Sequence, residues 1–255
     1  MKYILLKLAV SALIVLLLMA GCGAKKAMVS ISRISEGIVS YGGAMCLRTS
    51  QYFILAVPDS VGRIVPRDTL KVPIPIKARL LEYSPTGNRI FFTSGDSVFA
   101  YDITSGLFYT LTRGKFSEYV QCGRASQDGQ FLAFTASSWS IGNINFWRLV
   151  IVDAVEGGIV HYCDSMPSPY MFQWVKPARL GYAEYRYARG ELDTVGMFYD
   201  VNRQIVLPAR DSGIEFLKIE CNPNLSPDGK WTLEVMENSV RLRNLSRERG
   251  GLQNP

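Results

Sequence analysis

The thiols and imidazoles that could serve as strong nucleophiles or zinc ligands are few: Cys22, Cys46, Cys122, Cys163, Cys221 and the single histidine, His161. Cys22 follows the small pair Ala20-Gly21 at the end of an apolar run. The other four thiols form an even set, which permits disulfides in an oxidising compartment. His161 alternates with Cys163 along Ile159-Val160-His161-Tyr162-Cys163, so the two share one face of a strand. A zinc site needs further ligands, and no CxxC or HExxH spacing supplies them. A single histidine also argues against several-histidine metal chemistry and a Ser-His-Asp arrangement, and no G-x-S-x-G elbow occurs. The expectation is a protein that is not an enzyme, with no catalytic residue, metal or cofactor.

Residues 1–21 read as an export signal: Lys2 and Lys7 in a basic start, an apolar run from Leu8 to Met19, then small residues. About a dozen apolar residues fall short of the roughly twenty that span a bilayer. Leu18-Met19-Ala20-Gly21-Cys22 resembles the lipobox of bacterial lipoproteins, although Met19 stands where Leu is usual. The resemblance implies cleavage after Gly21 and lipid on Cys22. An ordinary signal peptide or an uncleaved anchor is the alternative. Gly23 rather than Asp follows, so the implied location is the cell envelope, at the outer membrane facing the periplasm where there are two membranes. Loss of Lys2 and Lys7 takes the formal charge from +6 to +4, too little for a nucleic-acid footprint.

Beyond Ala27, short runs of Ile, Val, Phe, Tyr and Leu alternate with Gly, Pro, Asp, Asn and Ser clusters, which predicts an all-β fold. One pattern recurs. Ser50 to Asp68, Ser84 to Asp102 and Ser226 to Asn244 share one spacing, and Ser126-Gln127-Asp128-Gly129 repeats the opening turn. The Asp or Asn at 68, 102, 153, 200 and 244 count five units, near the 40–45-residue period of propeller blades. Each is expected to accept turn N–H groups rather than to bind metal. Ser226-Pro227-Asp228-Gly229-Lys230-Trp231, and Asp102-Ile103-Thr104-Ser105-Gly106 with Leu111-Thr112, resemble the WD40-like (PD40) repeat of TolB-type β-propellers.

The expected architecture is a β-propeller of about five four-stranded blades, a six-bladed or incomplete ring being the alternative. Its boundaries are 1–21 signal peptide, 22–28 tether, 29–250 propeller and 251–255 tail. Val29 to Tyr41 is expected to complete the last blade and close the ring, leaving about six residues, roughly 20 Å, between lipid and fold. The first and fifth units then adjoin, which allows a Cys46–Cys221 bridge; small side chains packed near the axis are the alternative.

The third and fourth units carry extra residues between their inner strands, and both extensions are expected on one rim. They bring Trp139, Asn143 and Trp147 together with Tyr185, Tyr187 and Arg189, aromatic and Arg side chains of the kind that dominate interface hot spots. Either this rim binds a partner or the hairpins fold down and bury their rings. The TolB resemblance implies envelope proteins as partners, beside the membrane reached through Cys22. A glycan or a peptide is the second reading, with Asn143 and Asn145 beside the rings, and a degenerate propeller enzyme the third.

Overall fold

The computed structural model describes residues 34–49, 52–70, 78–113, 120–188, 190–209, 221–222, 224–236 and 239–246. The first blade contains β1 (Ile34–Val39), a 3-10 turn (Tyr41–Gly43), β2 (Met45–Thr49), β3 (Phe53–Pro58) and β4 (Ile64–Leu70). The second contains β5 (Arg79–Ser84), β6 (Arg89–Ser94), β7 (Ser97–Asp102) and β8 (Leu107–Thr112). The third contains β9 (Val120–Ala125), β10 (Phe131–Ile141), β11 (Ile144–Asp153) and β12 (Ile159–Met166). The fourth contains β13 (Phe172–Lys176), β14 (Arg179–Ala188), β15 (Glu191–Asp200) and β16 (Ile205–Pro208), and a fifth unit has β17 (Trp231–Met236) and β18 (Ser239–Asn244). Within each blade the strands pair antiparallel in chain order.

Burial explains this layering. Middle strands are covered on both faces by neighbouring blades, so they read as unbroken apolar runs. Ile90, Phe91 and Phe92 on β6, and Leu132, Ala133 and Phe134 on β10, are buried. Outermost β8 instead exposes Leu107, Phe108 and Tyr109. The core accordingly lies in the seams between blades. One seam joins Ile38, Cys46 and Phe53 of the first blade to Leu80 and Ile90 of the second. Another joins Ala133 and Leu149 of the third to Phe172, Tyr182 and Tyr199 of the fourth.

The repeat holds, but its first copy is displaced from the expected position. The first blade's opening turn follows Ser40, which is buried like Ser84, Ser126 and Ser226 at the same place in other units. Its closing Asx turn is at Asp59, whose Oδ1 accepts the N–H groups of Val61 at 3.0 Å and Arg63 at 2.8 Å. Asp102, Asp153, Asp200 and Asn244 accept turn N–H groups in the same way. Asp68 instead lies in β4, opposite Leu55 of β3. Tyr41-Gly42-Gly43 carries no Asp-Gly signature, so the Ser50-to-Asp68 spacing coincides with the repeat without being part of it.

Ring closure also differs from the expectation. The described part of Val29–Tyr41 forms β1, which pairs with β2, Ile38 opposite Cys46. It is the innermost strand of the first blade, not the missing strand of the last; Val29 to Arg33 lie outside the described residues. Side-chain packing closes this seam: Ile34, Met45 and Leu47 meet Leu233 and Val240. Gly37 permits the approach, because a Cβ there would sit 2.9 Å from Val235 Cγ2 and 3.0 Å from Leu233 Cδ2.

At the opposite end of the strands, Gly129 has φ +74°, and a Cβ would lie 2.6 Å from Gly87 Cα in the neighbouring turn. Thr86 Oγ1 donates to Gln127 O at 2.5 Å across the same contact. Left-handed backbone costs a non-glycine residue about 1–2 kcal/mol before any clash. Gly129→Ala is expected to lower stability by about 2 kcal/mol or more, read as a fall in the urea midpoint; an unchanged midpoint would show that the two turns move apart freely.

The Cys46–Cys221 pairing is corrected as well. Cys221 is joined to Cys122, with a Cα–Cα distance of 6.3 Å, while Cys46 and Cys163 are free thiols. Cys46 sits on β2 beyond the displaced turn, whereas Cys122 occupies the inner strand β9. The innermost position brings Cys122 to the backbone before the fifth unit, where Cys221 N donates to Tyr170 O at 2.8 Å.

Candidate interaction site on the hairpin rim

Chain direction gives the ring two distinct ends. Each inner strand runs from the hairpin end, where second and third strands connect, to the turn end, where the Ser40, Ser84, Ser126 and Ser226 turns lie. In the third and fourth blades those hairpins overhang their sheets. Pairing with β9 stops at Ala136, so β10 continues through Ile141 without it; pairing of β14 with β13 stops at Tyr182, leaving Ala183 to Ala188 beyond. Five or six residues at about 3.3 Å each carry the tips roughly 15–20 Å past the four-stranded portions.

The two overhangs touch through aromatic rings. Trp139 stacks on Phe146 with centroids 4.4 Å apart and planes at 11°, and Phe146 meets Tyr185 edge-on at 5.5 Å. Trp139 is 49% exposed and Tyr187 is 76% exposed. Alternation along the strands places Trp139, Ile141, Ile144 and Phe146 on one face. Ile141 pairs with Ile144, and Tyr187 with Leu192, near the tips. Asn143 is exposed in the turn between β10 and β11.

Trp147 does not join this face. It shares its face of β11 with Leu149 and Ile151, toward the seam of the third and fourth blades, where it packs on the buried cluster, while the extra residue of β10 between Ser137 and Trp139 turns Trp139 to the opposite face. Phe146 makes the link that Trp147 was expected to contribute to. Arg189 lies outside the described residues, as does Cys22. Phe146 is itself buried, covered by Trp139 of its own hairpin and Tyr185 of the next, a placement that strand alternation alone does not reveal.

At the centre of the ring, Glu82 on β5 and Arg124 on β9 form a buried ion pair, Nη1 to Oε2 3.0 Å. Arg124 Nη2 also donates to Asn222 O at 2.5 Å and Leu225 O at 2.6 Å, and its carbonyl accepts Trp174 Nε1 at 2.9 Å. Burial raises the Glu82 carboxyl above its ordinary value, opposed mainly by the Arg124 charge. Glu36 on β1 is likewise raised by burial, although its Oε2 accepts Leu80 N–H at 2.9 Å. Glu36 lines a cavity of about 200 Å³ with Arg79, Gln121, Cys122 and Asn224. Glu82 does not line that cavity, so these two acids do not converge there.

His161 stacks on Tyr199, centroids 4.0 Å apart, and burial lowers its pKa. It occupies the seam of the third and fourth blades opposite Ile151, while Cys163 lies opposite Leu149. Among the described residues, no three His, Cys, Asp or Glu side chains gather at a metal-sized site.

No protein-family model matches the sequence, and no curated protein matches it. Solved structures do resemble it. A Lactobacillus plantarum protein is 14% identical with a TM-score of 0.39, over 84% of this chain and 59% of that one. An acylaminoacyl peptidase of Pyrococcus horikoshii is 10% identical with a TM-score of 0.46, over 80% of this chain and 35% of that one. The WD40 domain of Neurospora crassa Pan2 is 10% identical with a TM-score of 0.39, over 84% of this chain and 62% of that one. This chain thus spans between about a third and three fifths of their lengths. Among the described residues, four sheets of four antiparallel strands, a fifth unit with two strands and seams between successive sheets identify the fold on its own topology: the chain is a β-propeller.

Proposed function

We propose that this protein is a lipid-anchored, noncatalytic propeller that binds proteins of the cell envelope through the hairpin rim of its third and fourth blades. The observation that carries the reading is exposed Trp139, seated on buried Phe146, which meets half-buried Tyr185 of the next overhanging hairpin, with exposed Tyr187 beyond. Large, stiff rings of this kind bury much area on binding at little entropic cost. The likeness of the Ser226–Trp231 and Asp102–Gly106 motifs to TolB-type repeats supports an envelope setting and protein partners. A noncatalytic role is supported by the engagement of buried Glu82 with Arg124 and of half-buried Glu36 with the Leu80 amide.

The test is crosslinking in the native envelope followed by affinity capture, comparing the wild type with Trp139→Ala/Tyr187→Ala. Recovery of the specific partner is expected to fall about tenfold or more, as for loss of hot-spot residues; undiminished recovery would sink the rim as the binding patch. A glycan is the second reading, favoured by the half-exposed Trp139 ring with exposed Asn143 and Asn145 nearby. Glycan-array binding that is lost in Trp139→Ala, with no protein captured, would reverse the order.

The tether has its own prediction. Cys22→Ser should move the protein from the membrane fraction to the soluble fraction. Continued membrane fractionation of that variant would overturn lipid attachment at Cys22.

A further inference from the structure

The hairpin rim carries a second layer beyond its aromatic row. At the tips the exposed side chains are aliphatic or amphipathic: Ile141 is 59% exposed, Ile144 38%, Tyr187 76% and Leu192 37%. Ile141 faces Ile144 across one hairpin and Tyr187 faces Leu192 across the other, so each overhang ends near an apolar cross-strand pair. The second blade's hairpin makes no such overhang: β6 ends at Ser94, one residue past its pairing with Arg79 at the start of β5.

The direction of β1 relates these tips to the start of the chain. Ile34 pairs with Thr49, at the hairpin end of β2. Glu36 near the start of β1, Arg79 at the start of β5 and Gln121 near the start of β9 line one cavity, so the inner strands begin together at that end of the ring. The chain therefore joins the propeller on the same side from which the apolar tips project. Cys22 precedes Ile34 by twelve residues, a stretch that reaches at most about 40 Å. A tether at Cys22 therefore meets the hairpin end first, and the turn end only beyond the further length of β1, roughly 20 Å.

We infer that the tips of the β10–β11 and β14–β15 hairpins rest in the interface of the bilayer to which the chain is tethered, with Trp139, Ile141, Ile144, Tyr187 and Leu192 as the lipid-contacting side chains. The inference rests on the tethering reading and deepens it: the partner reached by the aromatic row is then one presented at the membrane surface. Trp and Tyr suit this depth because their rings are apolar and their N–H or O–H remains hydrated. On the same hairpin exposed Arg186 lies opposite exposed Asp193, with Glu191 exposed beyond them, so the described charges there carry no positive excess and the contact is apolar rather than a cationic attraction to anionic headgroups.

The experiment uses the full chain, produced with its own N-terminal segment and reconstituted into zwitterionic phosphatidylcholine vesicles with brominated acyl chains. Flotation reports the tether and quenching of tryptophan emission reports the tips. The wild type is expected to float and to be quenched relative to unbrominated vesicles. Trp139→Phe should still float and lose most of that quenching, while Trp147→Phe, whose ring packs into the seam, should keep it. A wild type that floats without quenching, or quenching that survives Trp139→Phe, would overturn the inference and leave the tether standing. Trp139 emission that changes with protein density but not with bromine would assign the tips to a second copy and overturn it too. A wild type that fails to float removes the tether, and with it the basis of the inference.

Discussion

Replacing Cys122 and Cys221 by Ala should lower the free energy of unfolding by about 3–5 kcal/mol, because the bridge closes a loop of nearly a hundred residues in the unfolded chain. The sequence separation is 99, and the two ends belong to parts of the ring with no strand pairing between them. Cys122 lies on β9, while Cys221 begins the irregular backbone that leads through Leu225 into β17. The measurement is urea unfolding of wild type and double variant, with the reduced wild type as a third sample. The variant and the reduced protein should show the same lowered midpoint. Equal midpoints for all three would mean that the bridge contributes nothing to stability. Cys163→Ala, which removes a half-buried free thiol, provides the comparison for thiol loss alone.

Arg124→Met should be comparably damaging, about 3–5 kcal/mol, since it leaves the buried Glu82 carboxylate without its partner. It also removes the donor to the carbonyls of Asn222 and Leu225. Its pH dependence separates this cause from simple loss of packing. Glu82 is already raised above 4.5 by burial, and Arg124 is the chief influence lowering it, so the variant raises it further. A carboxyl with a raised folded pKa binds more protons in the folded than in the unfolded state. Stability is then gained as pH falls through the folded pKa, and the gain is complete below the unfolded value near 4.5. The deficit of Arg124→Met relative to wild type should therefore be largest at neutral pH and narrow toward pH 4.5 in chemical unfolding curves. Glu82→Gln added to Arg124→Met should recover part of the deficit at neutral pH. A deficit independent of pH would show that Glu82 carries no uncompensated charge.

The parts of this propeller that were legible before folding are those whose physics is local. Asp102, Asp153 and Asp200 bond to N–H groups two or three residues ahead, so their role could be read from spacing and residue type. Ser126 and Ser226 do the same, each bonding to an Asp two residues on and accepting an N–H five residues on. The first blade escaped this reading because Ser40 is followed by Tyr41-Gly42-Gly43, a turn that a 3-10 segment makes without an aspartate. Hairpin length followed from the spacing between such turns, which is why the two overhangs were foreseen on neighbouring blades. The face taken by Trp139 was not, since it depends on an extra residue of β10 between Ser137 and Trp139, and neither was the burial of Phe146, which depends on Tyr185 of the next blade.

By itself the sequence determined the strand-rich fold, the blade period and the paired long hairpins, each encoded in residues close along the chain. Tertiary structure decided that β1 belongs to the first blade, that Cys221 meets Cys122 rather than Cys46, and that Glu82 finds Arg124 at the centre of the ring. The last two of those choices join positions 99 and 42 residues apart. Their partners are selected by how the blades pack around a shared axis, where inner strands from different repeats become neighbours and local spacing carries no record of it.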